Sequence, residues 1–110
     1  MPLSRIKKGW EFDLIFRTGI RLNGELVRLL YVRNENNFIK AGFISGKRQG
    51  KAHIRNRVKR ILREAFRQSE KKIIPGISLI LSLKDRAINS KSYEIYADLI
   101  KLLKRNNLLI

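Results

Sequence analysis

Arginine and lysine side chains are concentrated in one stretch of the chain, residues 47–67, which reads KRQGKAHIRNRVKRILREAFR. This stretch holds nine of the 25 basic residues in 21 of 110 positions, against a single acid, Glu64. Between residues 55 and 67, arginine outnumbers lysine by five to one. Because the planar guanidinium group binds phosphate through two parallel hydrogen bonds and stacks on bases, this composition predicts binding to a phosphate-rich polyanion.

The spacing of these residues predicts an amphipathic helix over residues 52–68. At about 100° per residue, apolar side chains fall on one face and basic side chains on the other. The apolar face comprises Ile54, Val58, Ile61, Leu62, Ala65 and Phe66. The opposite face has Asn56, Arg60, Arg63 and Arg67 at its centre, and Arg55, Arg57 and Lys59 toward its flanks. We therefore expect a helix that is anchored in a core on one side and presents cations on the other.

The side chains that enzymatic catalysis needs are not grouped in this sequence. His53 is the only histidine, cysteine is absent, and the nine acidic residues show no paired spacing for general acid–base catalysis. Ser45, Gly46 and Lys47 resemble part of a phosphate-binding loop but lack its Gly-x-x-x-x-Gly-Lys-Ser/Thr frame. We therefore predict no catalytic residue, no metal ligand and no protein-bound cofactor, and we assign no role to His53.

The composition indicates one folded domain, residues 1–110, with a formal charge of +16 and an apolar content of 44%. Such a charge costs compactness by self-repulsion, which favours a polyanionic partner, with nucleic acid ahead of an anionic membrane surface. No apolar run approaches the roughly 20 residues that span a bilayer. Glu11 and Asp13 interrupt any signal-peptide core. We expect no membrane association and a cytoplasmic location.

The remaining patterns predict one sheet covered by helices, in the order α-β-β-β-α-β-α. Short turn signals separate the first three strands, which predicts an antiparallel meander with a hairpin loop at 35–37. Residues 1–8 are expected to be irregular, Gly9 to cap the first helix, and Ser90 or Ser92 to cap the last. The predicted elements are helix 10–18, strands 20–23, 26–32 and 38–45, helix 52–68, strand 77–84, and a final helix with an apolar stripe from Ile95 to Leu103.

Residues 47–66, KRQGKAHIRNRVKRILREAF, resemble the signature of the bacterial ribonuclease P protein family. That signature runs from a Lys-Lys/Arg-x-Gly-x-Ala segment into Arg-Asn-Arg-x-Lys-Arg, and the chain matches it without a gap. Near the N-terminus, RIKKGWEFDLIFRTG is similar to a second family pattern through Arg5, Ile6, Phe12, Phe16 and Gly19. The resemblance covers nearly the whole chain.

This resemblance implies a protein subunit that binds the catalytic RNA of ribonuclease P and assists removal of the 5′ leader from precursor tRNA. In the family, the RNA subunit and its magnesium ions carry out the hydrolysis, so the protein itself is expected to bind no cofactor and to need no protein partner. The implied fold is a single-domain αβββαβα sandwich of the α+β class, with a four-stranded sheet. Its β-α-β crossover would be left-handed, although about 98% of such connections are right-handed.

Residue by residue, the resemblance implies two sites on this chain. The arginine-rich helix would dock on catalytic RNA, and its start at Arg55 and Asn56 would also reach the leader. Phe12 and Phe16 match aromatic residues of a cleft for the single-stranded leader, although core packing is the alternative for both. Leu30 aligns where some members carry a further aromatic residue. The predicted RNA-binding residues are Lys47, Arg48, Lys51, Arg55, Asn56, Arg57, Lys59, Arg60, Arg63 and Arg67.

Two other functions stay open at this point. A small ribosomal protein, or another structural RNA-binding module, would carry a similar basic helix without any role in processing. A protein-only nuclease is the third possibility, which the absence of a metal-ligand and acid–base cluster opposes.

Overall fold

The chain folds into one sheet with helices on both faces. The structure, a computed structural model, describes residues 3–35 and 37–110. Its elements are β1 (Leu3–Arg5), α1 (Gly9–Thr18), β2 (Ile20–Asn23), β3 (Val27–Arg33), β4 (Ile39–Phe43), α2 (Ala52–Ser69), β5 (Ile77–Leu83) and α3 (Ser92–Arg105). Every predicted helix and strand is present with similar bounds. Asn36, in the predicted hairpin loop, lies outside the described residues, as do Met1 and Pro2.

The first residues of α1 and α3 are capped differently from the prediction. Lys8 rather than Gly9 is the N-cap of α1, and Lys91 rather than a serine is the N-cap of α3. In each helix a glutamate in the first turn accepts the N–H of its capping lysine, Glu11 for α1 and Glu94 for α3. Acidic side chains at this end also interact favourably with the helix dipole.

The strand order is β1-β4-β5-β3-β2, which makes the predicted three-stranded meander wrong. β2 and β3 do form the predicted antiparallel hairpin, but β5 lies between β3 and β4. The reason is visible in β5, which is covered on both faces: Leu79 and Leu81 face the larger core, Ile80 faces the smaller one, and six of its seven residues are buried. A strand of this kind belongs in the middle of a sheet rather than at its edge.

A fifth strand extends the sheet beyond the four that the sequence predicted. β1 pairs in parallel with β4, from Leu3 opposite Ile39 to Arg5 opposite Ala41. The expectation that residues 1–8 are irregular is therefore wrong for Leu3–Arg5. Three residues are too few to show a period-2 pattern, so only the neighbouring strand reveals this pairing.

β4 and β5 are parallel neighbours joined through α2. This is the β-α-β connection that the family resemblance implied, and the α+β class is confirmed. The left hand of the connection stays a prediction.

Two hydrophobic cores lie on opposite faces of the sheet. The larger core packs α2 and α3 against one face, where Leu29 of β3 and Leu79 and Leu81 of β5 are almost fully buried. The smaller core packs α1 against the other face through Ile6, Ile15, Leu30 and Ile80. Successive residues of a strand therefore pack against different helices, α2 and α3 on one face of the sheet and α1 on the other.

The predicted apolar face of α2 is confirmed. Val58, Leu62, Ala65 and Phe66 have no exposed surface, and Ile54 and Ile61 are half-buried. Phe66 also contacts Phe43 of β4 edge to face, with 5.7 Å between ring centroids. The helix is fixed firmly enough to hold the side chains of its other face in a defined arrangement.

Candidate nucleic-acid interface

The outward face of α2 forms a basic depression of about 470 Å³. Cations and polar groups line it, and no carboxylate is among them. Five predicted RNA-binding residues meet here, together with a histidine to which the sequence assigned no role. The lining residues are His53, Asn56, Arg57, Lys59, Arg60 and Arg63. We name this surface the α2 face.

Arg63 is held in place by an aromatic ring. Its guanidinium carbon lies 5.9 Å from the ring centroid of Phe43, within the range of a cation–π contact. Among the described residues, the Nε atoms of Arg55 and Arg63 are buried and have no hydrogen-bond partner. These two Nε donors are enclosed by the chain itself, so an external acceptor does not reach them in this arrangement.

Arg57 has a structural contact as well as a place on the α2 face. Its Nη2 atom donates a 3.0 Å hydrogen bond to Oδ1 of Asn89, in the loop before α3. Three further predicted residues do not line the depression. Lys51 is the exposed N-cap of α2, Arg55 is half-buried, and Arg67 is exposed toward the C-terminal end of the helix.

Lys47 and Arg48 belong to a different surface, a groove of about 540 Å³ that precedes α2. They lie in a short 3₁₀ helix, Lys47–Gln49. The Arg48 guanidinium bonds to the Asp85 carboxylate, which lowers the pKa of Asp85 and raises the pKa of Arg48. Arg48 is therefore partly neutralised within the chain, whereas the described residues provide no ion pair to Lys47.

A cleft of about 320 Å³ lies between α1 and the sheet, on the face opposite α2. Its floor is apolar, from Leu30 of β3 and Ile80 of β5, and Phe16 lines its α1 side. The Phe16 ring is 41% exposed, so it is available to stack on a ligand. The cleft also contains polar and basic side chains: Arg21, Asn23, Arg28 and Ser82.

These four polar residues were missed by the sequence analysis. The register pairs Arg21 with Leu30, Asn23 with Arg28, and Arg28 with Ser82, which puts all four on the α1 face of the sheet. Residues two apart on a strand lie on the same face, so Arg28 shares the face of Leu30. This spacing is the sequence pattern that could have placed Arg28 in the cleft. Using it required knowing that Leu30 faces α1.

The structure separates the two phenylalanines that the resemblance grouped. Phe12 is half-buried and packs over Gly42 of β4, where a methyl group in place of the glycine hydrogen would collide with the ring. It belongs to the smaller core and is not among the residues that line the cleft. Phe12 therefore packs in the smaller core and Phe16 alone of the two lines the cleft, while a contact of Phe12 with the leader stays a prediction.

Leu30 is 6% exposed and contributes to the cleft floor, whereas its neighbour Tyr31 points into the larger core. No aromatic residue of β3 therefore reaches the cleft. Arg55 and Asn56, predicted to contact the leader, do not line it either, since Asn56 opens onto the α2 face.

The cleft continues into the groove beside Lys47. Arg28, Ile44 and Ser82 line both, so the two depressions are adjacent along one side of the sheet. The groove ends at the 3₁₀ helix Lys47–Gln49, immediately before the first turn of α2. An extended chain lying in the cleft has a continuous surface to follow toward the start of the arginine-rich helix.

Two features of other protein classes are absent from residues 3–35 and 37–110. None of the helices there combines the length and apolar character that crossing a bilayer demands. Nor does that part of the chain bring three or more histidine or acidic side chains together in a way that could hold a metal ion. The absence of a protein-bound metal stays a prediction.

The fold and these surfaces define a small basic α+β protein of the nucleic-acid-binding class. Residues 2–107 match the family model described as Ribonuclease P. The ribonuclease P protein component of Natranaerobius thermophilus is 34% identical over 104 residues, which cover 94% of this chain and 90% of that one. The same component of Clostridium kluyveri is 33% identical over an alignment of 111 positions, which covers 98% of each chain.

Solved structures agree with the sequence comparison. The RNase P protein of Staphylococcus aureus matches with a TM-score of 0.83 and 25% identity, covering 97% of this chain and 98% of that one. The RNase P protein from Thermotoga maritima also gives 0.83, at 27% identity, covering 93% and 96%. The chain belongs to the ribonuclease P protein family. It is thereby a protein component of a ribonucleoprotein that takes part in tRNA processing and has an RNA partner.

Proposed function

We propose that this chain binds the catalytic RNA of ribonuclease P through the α2 face and the 5′ leader of precursor tRNA through the α1 cleft. In doing so it assists endonucleolytic 5′ maturation of tRNA. The observation that carries this proposal is the presence of two chemically different surfaces on opposite faces of one sheet. One is a cationic helix surface, and the other is an apolar cleft with basic margins.

The α2 face is suited to a folded RNA because its charge is presented on a rigid support. Four fully buried side chains anchor the helix, and no acid lines its outer depression. Each phosphate neutralised there releases condensed counterions, which supplies most of the affinity in such interfaces. The exposed guanidinium group of Arg60, which lines the depression, can add directional hydrogen bonds to phosphate.

The α1 cleft is suited to a single strand because it offers a ring, an apolar floor and cations at its margin. A base stacked on an exposed aromatic side chain contributes about 1–3 kcal/mol without sequence preference. Phe16 supplies that ring, while Arg21 and Arg28 can meet the phosphates on either side. A leader of variable sequence needs this kind of recognition, since hydrogen bonding to base edges would restrict which precursors bind.

The start of α2 would receive the end of the leader that leaves the cleft. The shared lining at Arg28, Ile44 and Ser82 supports a continuous path to Lys47 and then to Arg55 and Asn56. Lys51 and Arg67, outside the depression, would extend the cationic surface at the two ends of the helix.

Hydrolysis in this proposal belongs to the RNA subunit and its magnesium ions. The Asp85 carboxylate, which lines the groove beside Lys47, is already paired with Arg48, and the Glu11 carboxylate of α1 is paired with Lys40. The protein contributes affinity and orientation to a cytoplasmic ribonucleoprotein, and no further protein partner is required.

The test is reconstitution with bacterial ribonuclease P RNA at a magnesium concentration too low for the RNA alone. We expect the purified chain to restore cleavage of precursor tRNA. If the chain binds this RNA without stimulating cleavage, it acts as a structural RNA-binding protein instead. Cleavage by the chain without any RNA subunit would assign the chemistry to the protein and contradict the proposal.

A further inference from the structure

The turn between β2 and β3 is bound by a carboxylate from a distant part of the chain. Asp98 of α3 accepts hydrogen bonds from three successive backbone N–H groups. The Glu25 nitrogen lies 3.1 Å from Oδ1, and the Leu26 and Val27 nitrogens lie 2.9 and 3.0 Å from Oδ2. Asp98 is only 9% exposed, so these charge-assisted bonds form where little water competes.

Gly24 makes this close approach possible. A Cβ atom at this position would collide with Oδ2 of Asp98, so any side chain here would push the carboxylate away from the turn. The Gly24 N–H itself donates to the Val27 carbonyl and closes the turn. The turn sequence and the acid on α3 are therefore fitted to each other.

A second side chain holds the same turn through its carbonyl side. Arg86 donates from Nε and Nη2 to the Glu25 carbonyl oxygen, at 3.2 and 2.5 Å. The Lys84 N–H donates to the Leu26 carbonyl at 2.9 Å. Asp98 thus accepts hydrogen bonds from N–H groups of the turn, and Arg86 donates to a carbonyl oxygen of the same turn. We call these two residues the turn clamp.

The strand ends that this turn connects form one side of the α1 cleft. Asn23 and Arg28 form the last ladder pair before the turn, and both line the cleft, as does Arg21 two residues earlier. These three side chains are exposed, and of the three only Arg21 is held by a hydrogen bond within the described part of the chain, from its Nη2 to the Phe16 carbonyl at 3.4 Å. Asp98 itself lies on α3, which packs on the other face of the sheet, and it is not among the cleft residues. Any effect of Asp98 on a ligand must therefore pass through the turn.

We propose that Asp98 and Arg86 are positioning residues for the leader cleft, because they set the place of Arg28 and Asn23 relative to Phe16. This inference rests on the proposed function of the cleft. A loosened turn would let the ends of β2 and β3 fray, and the phosphate-binding arginines would then have to be ordered when the leader binds. Leader affinity would fall, while docking of the α2 face on the RNA subunit would be unchanged.

The test compares Asp98→Asn and Arg86→Ala with the wild-type chain in reconstituted holoenzyme. An amide in place of the carboxylate presents an NH₂ group to at least one backbone N–H. Arg86 is exposed, so its loss leaves the core intact. The control is Ile95→Val, which removes a buried methylene from the same helix and lowers stability without touching the turn.

The readout is the ratio of holoenzyme affinities for leader-bearing and leaderless tRNA, taken at a temperature where every variant is folded. We expect both clamp variants to reduce this ratio about 3- to 10-fold. A loss of folded protein alone would lower both affinities together and leave the ratio unchanged, as expected for Ile95→Val. Affinity for the RNA subunit should match the wild type in all three variants.

The outcomes separate this inference from the function on which it rests. A wild-type ratio near one would contradict the proposed leader cleft itself, and the clamp with it. A clear wild-type ratio that both clamp variants retain would overturn the clamp and leave the cleft standing. Should Asp98→Asn fail to fold, Arg86→Ala decides alone.

Discussion

The α2 face and the α1 cleft differ in their chemistry, although we propose an RNA ligand for both. The α2 face is a set of cations on one outer side of a helix, backed by side chains with no exposed surface. The cleft instead has an apolar floor, an exposed ring and basic residues that belong to strand ends. The comparison shows how one small sheet supports a rigid cationic surface on one side and a cleft lined by exposed side chains on the other.

Alanine substitution of Phe66, behind the α2 face, and of Phe16, in the cleft, tests this difference most strongly. The first should lower the stability of the fold, and the second should lower the affinity for the leader. Phe66→Ala empties a site with no exposed surface behind the α2 face and should lower the free energy of unfolding by about 3–5 kcal/mol. Chemical denaturation followed by circular dichroism measures this loss. A change below about 1 kcal/mol would mean that α2 is not anchored through this ring.

The next largest effect is expected when cationic side chains of the α2 face are removed. Replacing Arg60 and Arg63 together with alanine should weaken binding to the RNA subunit by about 1.5 kcal/mol or more for each arginine. The slope of log affinity against log salt should also flatten by about 0.9 or less for each phosphate that the variant no longer neutralises. Filter binding across a salt series measures both quantities.

The matched control removes the same charge from another helix. Lys101 and Lys104 are exposed on α3 and do not line the α2 face. Their double alanine variant should retain the wild-type slope. Equal slopes for both double variants would show that net charge, rather than this surface, determines RNA affinity.

Removing the exposed ring of the cleft, Phe16, should change substrate affinity and leave the stability of the fold nearly unchanged. Phe16→Ala is expected to reduce affinity for leader-bearing tRNA by about 1–3 kcal/mol, with little change for leaderless tRNA. Because the ring is 41% exposed, unfolding stability should change far less than in Phe66→Ala. A stability loss of core size without loss of leader selectivity would place Phe16 in the core and contradict the cleft.

The smallest expected effect concerns the ion pair that ties α1 to β4. Lys40 Nζ lies 3.0 Å from Glu11 Oε2, and this hydrogen bond lowers the pKa of Glu11. A lowered pKa in the folded chain stabilises it above the carboxyl group's ordinary pKa, and the contribution is lost as pH falls through the folded value. For this partly exposed pair we expect at most about 1 kcal/mol.

Glu11→Gln removes that contribution, so the variant should lose less stability on acidification than the wild type. Parallel urea titrations between neutral and acid pH measure the difference. Identical pH profiles for the two chains would mean that the pair does not hold α1 on the sheet.

The sequence was sufficient for the α2 face and insufficient for the cleft, for a physical reason. A helix surface is defined by local periodicity, so Val58, Leu62, Arg60 and Asn56 could be sorted from spacing alone. The cleft depends on which strand lies beside which, and that is decided by pairing between distant residues. Only the register of Asn23 with Arg28 reveals that Arg28 reaches the same space as Phe16.

Strand order shows the same limit. β5 has apolar residues on both faces, which is typical of a central strand, yet short connections favoured a simple meander. β1 is three residues long and is stabilised only by its neighbour β4. The family resemblance supplied the crossover through α2, but it did not distinguish Phe12, which packs over Gly42, from Phe16, which lines the cleft.

The division of labour between the two surfaces is tested most directly by photo-crosslinking. Precursor tRNA with 4-thiouridine in its leader would be irradiated in the reconstituted holoenzyme, and adducts mapped by mass spectrometry. We predict leader adducts at Phe16 and along Arg21–Arg28, with the start of α2 as the far limit. Adducts confined to Arg60, Arg63 and Arg67 would contradict the account, because the leader would then lie on the surface that we assign to the RNA subunit.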